Sequence, residues 1–255
     1  MSVLFLLEAD DPDPRDHPFV SPALVLPHSK NLRPHCPDVF DQGSRIGSCA
    51  ANAVCNAYRF NLLKQARESG KATPRFCPSR LFLHYNARAL AGKQLENKGA
   101  HLRDAIKSIA KHGLCPEAHW PYRAHRFAEQ PPEYAYETAQ RHQSIAYQRL
   151  PQDLKCLQAC LADGYPFVLG ITVFEAFDSA QLARRGVLSL PRQGEKKLGG
   201  HAVLIVGYSN RSERFLVMNS WGSRWGQQGY FSLPYAYVLD KKLAWDFWTL
   251  RTVED

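Results

Sequence analysis

Gly199-Gly200-His201-Ala-Val-Leu-Ile-Val-Gly-Tyr208 and, after a short polar interval, Phe215-Leu-Val-Met-Asn219-Ser-Trp221-Gly222 decide how this chain is read. Each segment is a run of β-branched and aromatic residues, and the Ser209–Glu213 interval between them is turn-like. Two antiparallel strands follow. With the turn centred near Asn210, His201 falls directly opposite Asn219, where cross-strand Cβ atoms stand roughly 4.5–5.5 Å apart. An amide there orients an imidazole and fixes its tautomer. Such an imidazole serves a nucleophile that has to come from elsewhere in the chain.

The nucleophile is Cys49. It ends the Gly- and Ser-rich loop Asp41-Gln42-Gly43-Ser44-Arg45-Ile46-Gly47-Ser48 and opens an alanine-rich helix, with small apolar residues at 50, 53, 54 and 57. A thiol in the first turn of a helix has its pKa lowered by the free N–H groups and by a nearby imidazolium. Cys55 lies on the same helix without such a setting and reads as core, as do the remaining cysteines.

These features, with Asn219-Ser-Trp-Gly-Ser-Arg-Trp-Gly-Gln-Gln-Gly-Tyr230, resemble the papain-like cysteine peptidases. His201 follows Cys49 by about 150 residues, near the family spacing of roughly 130–150. The likeness runs from about Leu26 to Trp248 and is nearest to bacterial-type members without a long propeptide. It implies an α+β fold of two lobes, one helical and one β-barrel-like, with the active-site cleft between them. It also implies that Gln42 donates its side-chain N–H to an oxyanion hole alongside the Cys49 backbone N–H. Trp221 corresponds to the tryptophan that shields the His–Asn pair. Gly99 stands where the family's Cys-x-Gly-Gly substrate-binding stretch lies, in Asn97-Lys98-Gly99-Ala100. Gly199 and Gly200 strip side chains from the cleft wall, so Trp221, Gly99 and Gly200 are the substrate-binding candidates. The loop from Gln42 to Cys49 is one residue longer than usual, with Arg45 as the extra residue and a bulge expected to absorb it.

The chain of 255 residues divides into an extended arm over 1–28, a mainly helical lobe over 29–118 and a β-rich lobe over 119–255. Helices are expected from Cys49 toward Glu68, after Pro78, over Leu102–His112 and over Asp153–Ala162. Strands are expected at Phe167–Val173, Gly186–Leu190 and Gly229–Leu233, besides the His201 pair. Fewer than thirty residues precede the segment that resembles the mature domain, and they lack helical periodicity. The usual inhibitory pro-segment is therefore not expected, and the acidic arm is placed along the surface rather than in the cleft.

The apolar run Val3–Leu7 is too short for a signal-peptide core or a membrane span. Cytoplasmic residence, or export without a cleavable signal peptide, is expected. Ile46 replaces the cysteine that secreted relatives pair, and Cys156 and Cys160 have helical spacing, so reduced thiols are expected. The formal charge of +8 reads as a basic, solvated surface without the aromatic interleaving of a nucleic-acid platform. The expected activity is peptide-bond hydrolysis through a thioester, as an endopeptidase acting on peptide or protein substrates, with no metal and no organic cofactor because water is the second substrate. Acyl transfer at the same site, or an idle binding module with this fold, are the alternatives. Oligomeric state is not legible.

Overall fold

The computed structural model describes residues 3–22 and 25–254. In chain order the elements are β1 (Ser29–Asn31), α1 (Cys49–Glu68), α2 (Arg80–Leu90), α3 (Leu102–His112), α4 (Glu133–Ala139), β2 (Ser144–Arg149), α5 (Leu154–Ala162), β3 (Phe167–Phe174), α6 (Ala180–Arg185), β4 (Lys197–Ser209), β5 (Arg214–Met218), β6 (Tyr230–Pro234), α7 (Tyr235–Leu239) and β7 (Ala244–Val253). Early helices and late strands give the α+β class, and the expected helices α1, α3 and α5 stand where the periodicity puts them. The Gly186–Leu190 run makes only an isolated bridge, Val187 to Ser232.

Helix α1 spans about 30 Å at 1.5 Å per residue and lies between the two halves of the molecule. Ala50, Ala51, Ala53 and Ala57 are all buried, as is most of the rest of the helix, which is the pattern of a helix covered on every side. Its small side chains bring it close to β4 and β7. On its other flank sit α2 and α3. Ala135 and Ala139 of α4 pack with Leu81, Phe82, Trp120 and Ile46, so the chain stays on the helical side past residue 118.

The sheet runs β2-β7-β3-β4-β5-β6, with β1 added to β4, and every one of these pairings is antiparallel. Among the described residues it is an open, strongly irregular sheet and not a closed barrel. Its inner face (Phe167, Leu169, Val203, Ile205, Phe215, Val217 and Phe231) forms the main core with α1. β4 is the long central strand, and it carries His201 near its start.

The β4–β5 register differs from the one read off the sequence. The turn is Asn210–Glu213, with Glu213 at φ 51°, and the pairs are Ser209 with Arg214, Tyr208 with Phe215, Gly207 with Leu216 and, beyond a bulge at Val206, Ile205 with Val217 and Leu204 with Met218. Continued along this ladder, Asn219 falls opposite Val203. Next to the turn the slip is three residues, and the bulge reduces it to two, so Asn219 keeps the face expected of it because strand side chains alternate with period two. Asn219 is thus a diagonal neighbour of His201 on the same face, still within reach of a polar side chain.

Candidate active site

The site is assembled from four pieces of chain. Ser48 occupies the N-cap position of α1 but makes no side-chain cap bond, so Cys49 sits in the first helical turn beside unpaired backbone N–H groups. The Cys49 thiol lies against the N–H groups of Cys49 and Ala50 on one side and of Ala202, the residue after His201, on the other. β4, which carries the imidazole one residue earlier, therefore runs beside the thiol.

His201 Nε2 meets Asn219 Oδ1 at 2.8 Å. Asn219 accepts, so Nε2 carries hydrogen and Nδ1 is left as the second nitrogen, buried and without a partner among the described residues. Asn cannot titrate and so fixes the ring without competing for its proton. Trp221 lies against the imidazole at a centroid distance of 5.5 Å, and Phe177, itself in contact with Trp221, lies at 5.7 Å. Both exclude water from the His–Asn bond.

Gln42 is pinned from three directions. Ser220 donates its hydroxyl to Gln42 Oε1 at 2.6 Å, the Gln42 N–H donates to the Ser220 carbonyl at 2.8 Å, and Tyr122 donates to the Gln42 carbonyl at 2.9 Å. Tyr122 in turn accepts from Ser48 Oγ at 2.5 Å, and Asn52 Nδ2 donates to the Ser48 carbonyl at 2.9 Å. With its oxygen held by Ser220, the amide is left with a buried Nε2 that has no partner among the described residues. An unpaired buried N–H costs about 1–3 kcal/mol, and an oxyanion at this point would relieve it.

The lengthened loop keeps Gln42 in this position. Gly43, at φ 64°, turns the chain, Arg45 stands exposed on the outside and gives only its carbonyl to Asn97, and Ile46 plunges into the cluster of Leu81, Phe82, Cys115 and Trp120. Arg45 is the residue that bulges outward. Ile46 supplies by apolar packing the anchorage that a disulfide gives elsewhere, and all seven cysteines are free thiols.

Sequence reading missed the supports of this loop. Arg80 stacks on Tyr122 at 4.0 Å and on Phe40 at 4.4 Å, and donates to the Asp41 carbonyl at 3.0 Å. Ser220 was in view inside the Asn219 motif, but nothing in the motif says that its hydroxyl faces Gln42. Tyr122 carries no local signal at all.

The larger correction concerns the N-terminal arm, which lies in the cleft and not along the surface. The Leu7 N–H donates to the Gly200 carbonyl at 3.2 Å and the Gly200 N–H to the Phe5 carbonyl at 3.3 Å, a parallel bridge centred on Leu6. Phe5 packs edge-on against His201 and tilts against Trp221, both at 6.0 Å between centroids. Leu6 covers Gly47 and Gly99, and Leu7 sits against Gly170, Gly200 and Trp245, 5% exposed. A Cβ on Gly99 would collide with the Leu6 carbonyl, and one on Gly200 with the Leu7 carbonyl. All three substrate-binding candidates thus touch the arm.

The acidic stretch that follows is the arm's clamp. Asp10 accepts from the Arg103 backbone N–H in the first turn of α3 at 3.2 Å and from the Trp248 indole at 3.0 Å, while its own N–H donates to Asp246 at 2.5 Å. Asp16 takes a two-pronged bond from Arg103 at 2.9 and 2.6 Å and a third from Arg149 at 2.6 Å. The signal was present as an apolar run followed by carboxylates, but its partners lie about 90 to 240 residues away.

Covering the site reverses the expected acidity of the thiol. Burial pushes Cys49 up to about 11, outweighing the N–H groups of Ala202 and of the helix start that pull it down. Burial pushes His201 down to about 4, against the opposing pull of Asn219. With the arm in place the pair is a neutral thiol and a neutral imidazole. Among the described residues, no group of three or more His, Cys, Asp and Glu side chains is placed to hold a metal ion, and no helix is long and apolar enough to cross a membrane.

This fold and arrangement agree with comparison to known proteins. Residues 84–238 match the model of the papain family cysteine proteases, and the chain belongs to that family. It is 41% identical over 223 residues to an uncharacterized peptidase C1-like protein of Acanthamoeba polyphaga mimivirus, covering 84% of this chain and 70% of that one. Rat procathepsin L is 31% identical over 144 residues, which is 54% of this chain and 37% of the relative. Among solved structures, xylellain, a cysteine protease from Xylella fastidiosa, superposes with a TM-score of 0.89 at 36% identity, over 98% of this chain and 96% of that one. A digestive procathepsin L 3 from Tenebrio molitor shares the fold at a TM-score of 0.70, with 23% identity, over 91% and 72%.

Proposed function

We propose that this papain-family cysteine protease, a hydrolase, is an endopeptidase whose resting form is closed by its own arm. The carrying observation is a pair of buried, unpartnered polar atoms flanking the Cys49 environment, Gln42 Nε2 and His201 Nδ1. They fit two halves of one reaction. His201 Nδ1 takes the Cys49 proton as the thiolate attacks a scissile carbonyl, and the Gln42 amide with the Cys49 backbone N–H holds the developing oxyanion. The imidazolium returns the proton to the departing amine, and Asn219 keeps the ring aligned. Water activated by His201 then attacks the thioester, releasing the acid and restoring the thiol.

The arm supports internal cleavage. Five residues, Phe5 to Ala9, thread the groove from the Trp221 side to the far side of Trp245, so the groove is open at both ends of the reacting centre. The arm also explains its own survival. A leaving amine departs on the His201 and Trp221 side, so a substrate has its C-terminal part there. The arm has its N-terminal residue Phe5 there and runs the other way, offering its peptide bonds backwards.

The test is cleavage of a denatured proteome by the full-length chain and by Cys49→Ala. Internal cuts made only by the former support the reading. Loss of single residues from chain ends would replace endopeptidase with exopeptidase action, and no cut dependent on Cys49 would remove the peptidase reading altogether.

A further inference from the structure

A cavity of about 570 Å³ lies along the arm from Phe5 to Ala9, and its wall is basic. Lys93 and Lys98 approach it from the helical side, and Lys197 and Lys242 from the sheet. Among the described residues, Lys93, Lys197 and Lys242 have no carboxylate within ion-pair distance. Lys98 pairs with Glu96 at 2.7 Å, on a side chain that remains more than half exposed. Among the described residues, the single acidic one lining this cavity is Glu8, in the arm. Its charge acts on the Lys98 ammonium.

The position of this rim relative to the reacting centre follows from the arm. Leu6 lies over Gly47 and Gly99, next to the nucleophile, Leu7 fills the pocket of Gly170, Gly200 and Trp245, and Glu8 lines the same cavity as the four lysines. A substrate running in the productive direction places its first, second and third residues before the scissile bond at those same three stations. Four like charges on two walls of a groove focus a positive potential into it, and that potential selects among partners more by charge than by shape.

Building on the peptidase reading, we propose that the lysine rim selects peptides with an acidic residue third before the scissile bond. Glu8 occupies that station in the closed form as a reversed imitation of such a residue. The ammonium groups are solvated, so each contributes modestly. Three or four acting together give about a tenfold preference for Glu over Lys, and salt screens it within a Debye length of about 10 Å at 0.1 M.

The test uses the full-length chain carrying Leu7→Ala and three quenched fluorogenic peptides alike except for Glu, Gln or Lys at the third position. Expected kcat/KM falls in that order, with Glu about tenfold above Lys at low salt. The ratio collapses toward one in high salt and in the double substitution Lys197→Gln with Lys242→Gln. A second readout needs no hydrolysis: Glu8→Lys in the otherwise native chain is repelled by the rim and speeds modification of Cys49 by an epoxide peptide several-fold. Equal turnover of the three peptides would overturn the inference alone. Failure to hydrolyse any of them would overturn the peptidase reading and the inference with it.

Discussion

Leu7→Ala in the full-length chain measures how firmly the arm closes the cleft. Leu7 is buried against Gly170, Gly200 and Trp245, and the substitution removes three carbons from that contact. Water refills an open groove, so no lasting void is left and only the transfer of the lost carbons counts, roughly 0.8 kcal/mol each, or about 2 kcal/mol together. The backbone bonds of Leu7 and Phe5 to Gly200 survive, so the arm weakens and is not abolished. At 1.4 kcal/mol per tenfold, the closed-to-open ratio drops about thirtyfold. Where the closed form dominates, the rate at which an epoxide peptide modifies Cys49 follows the open fraction and rises by the same factor. Mass spectrometry of Cys49 against time supplies the rate, and a thermal melt confirms that both proteins are folded. Equal rates in two folded proteins would refute closure by the arm, because a groove already open has nothing left to release.

Other expectations follow from the same geometry. Gln42→Ala, made in the Leu7→Ala background, lowers kcat by about 10²–10³ with little change in KM, the cost of one oxyanion donor. Steady-state kinetics check this, and an unchanged kcat would show that Nε2 does not face the reaction. Ile46→Ala leaves a cavity beneath the lengthened loop and costs about 2–5 kcal/mol, read as a lower denaturant midpoint. A shift smaller than about 1 kcal/mol would deny Ile46 its anchoring role. The clamp gives a pH profile of definite sign. Burial and the charge of Asp10 push Asp246 up to about 6, so the docked arm takes up a proton near there that the free arm does not, and mild acid favours docking. Asp16, despite burial, is held below the usual carboxylate range by Arg103 and Arg149, and its contribution is lost only as pH falls through that lowered value. Hydrogen exchange at Phe5–Leu7, corrected for intrinsic rates, is therefore expected to stay slow from pH 7 to about 4.5 and to quicken only below about 4. Opening centred near pH 6 would reverse the assigned sign.

Legibility divided along a physical line. The helices α1, α3 and α5 and the strands β3 to β6 were readable, because each buries one face or the whole of its surface and the pattern repeats within a few residues. Cys49 was readable from a Gly-Ser loop meeting a small-residue helix, and His201 with Asn219 from strand parity, which tolerated a register wrong by two. α4, β2 and β7 escaped notice. Each is short or interrupted, and β7 carries charged and polar residues whose partners lie far away in sequence, Asp10 for Asp246 and Trp248 and Asp163 for Arg251. A lowered thiol pKa follows from the helix start and a nearby imidazolium, whereas in the closed chain burial is the larger effect and pushes it up.

The sequence by itself settled the family and the fold class, since those depend on local pattern and on motifs that keep their order along the chain. Tertiary structure alone decided that Gln42 keeps a free N–H, because the Ser220 and Tyr122 hydroxyls that pin it come from distant segments. It also decided the fate of the arm. Val3–Leu7 is merely a short apolar run until Gly99 and Gly200, contributed by opposite walls, leave a groove just wide enough for its backbone. The carboxylates behind it have no meaning until α3 and β7 present Arg103, Trp248 and Asp246 together. Contacts that span the length of the chain are written in no window of sequence, and here they determine whether the site is open.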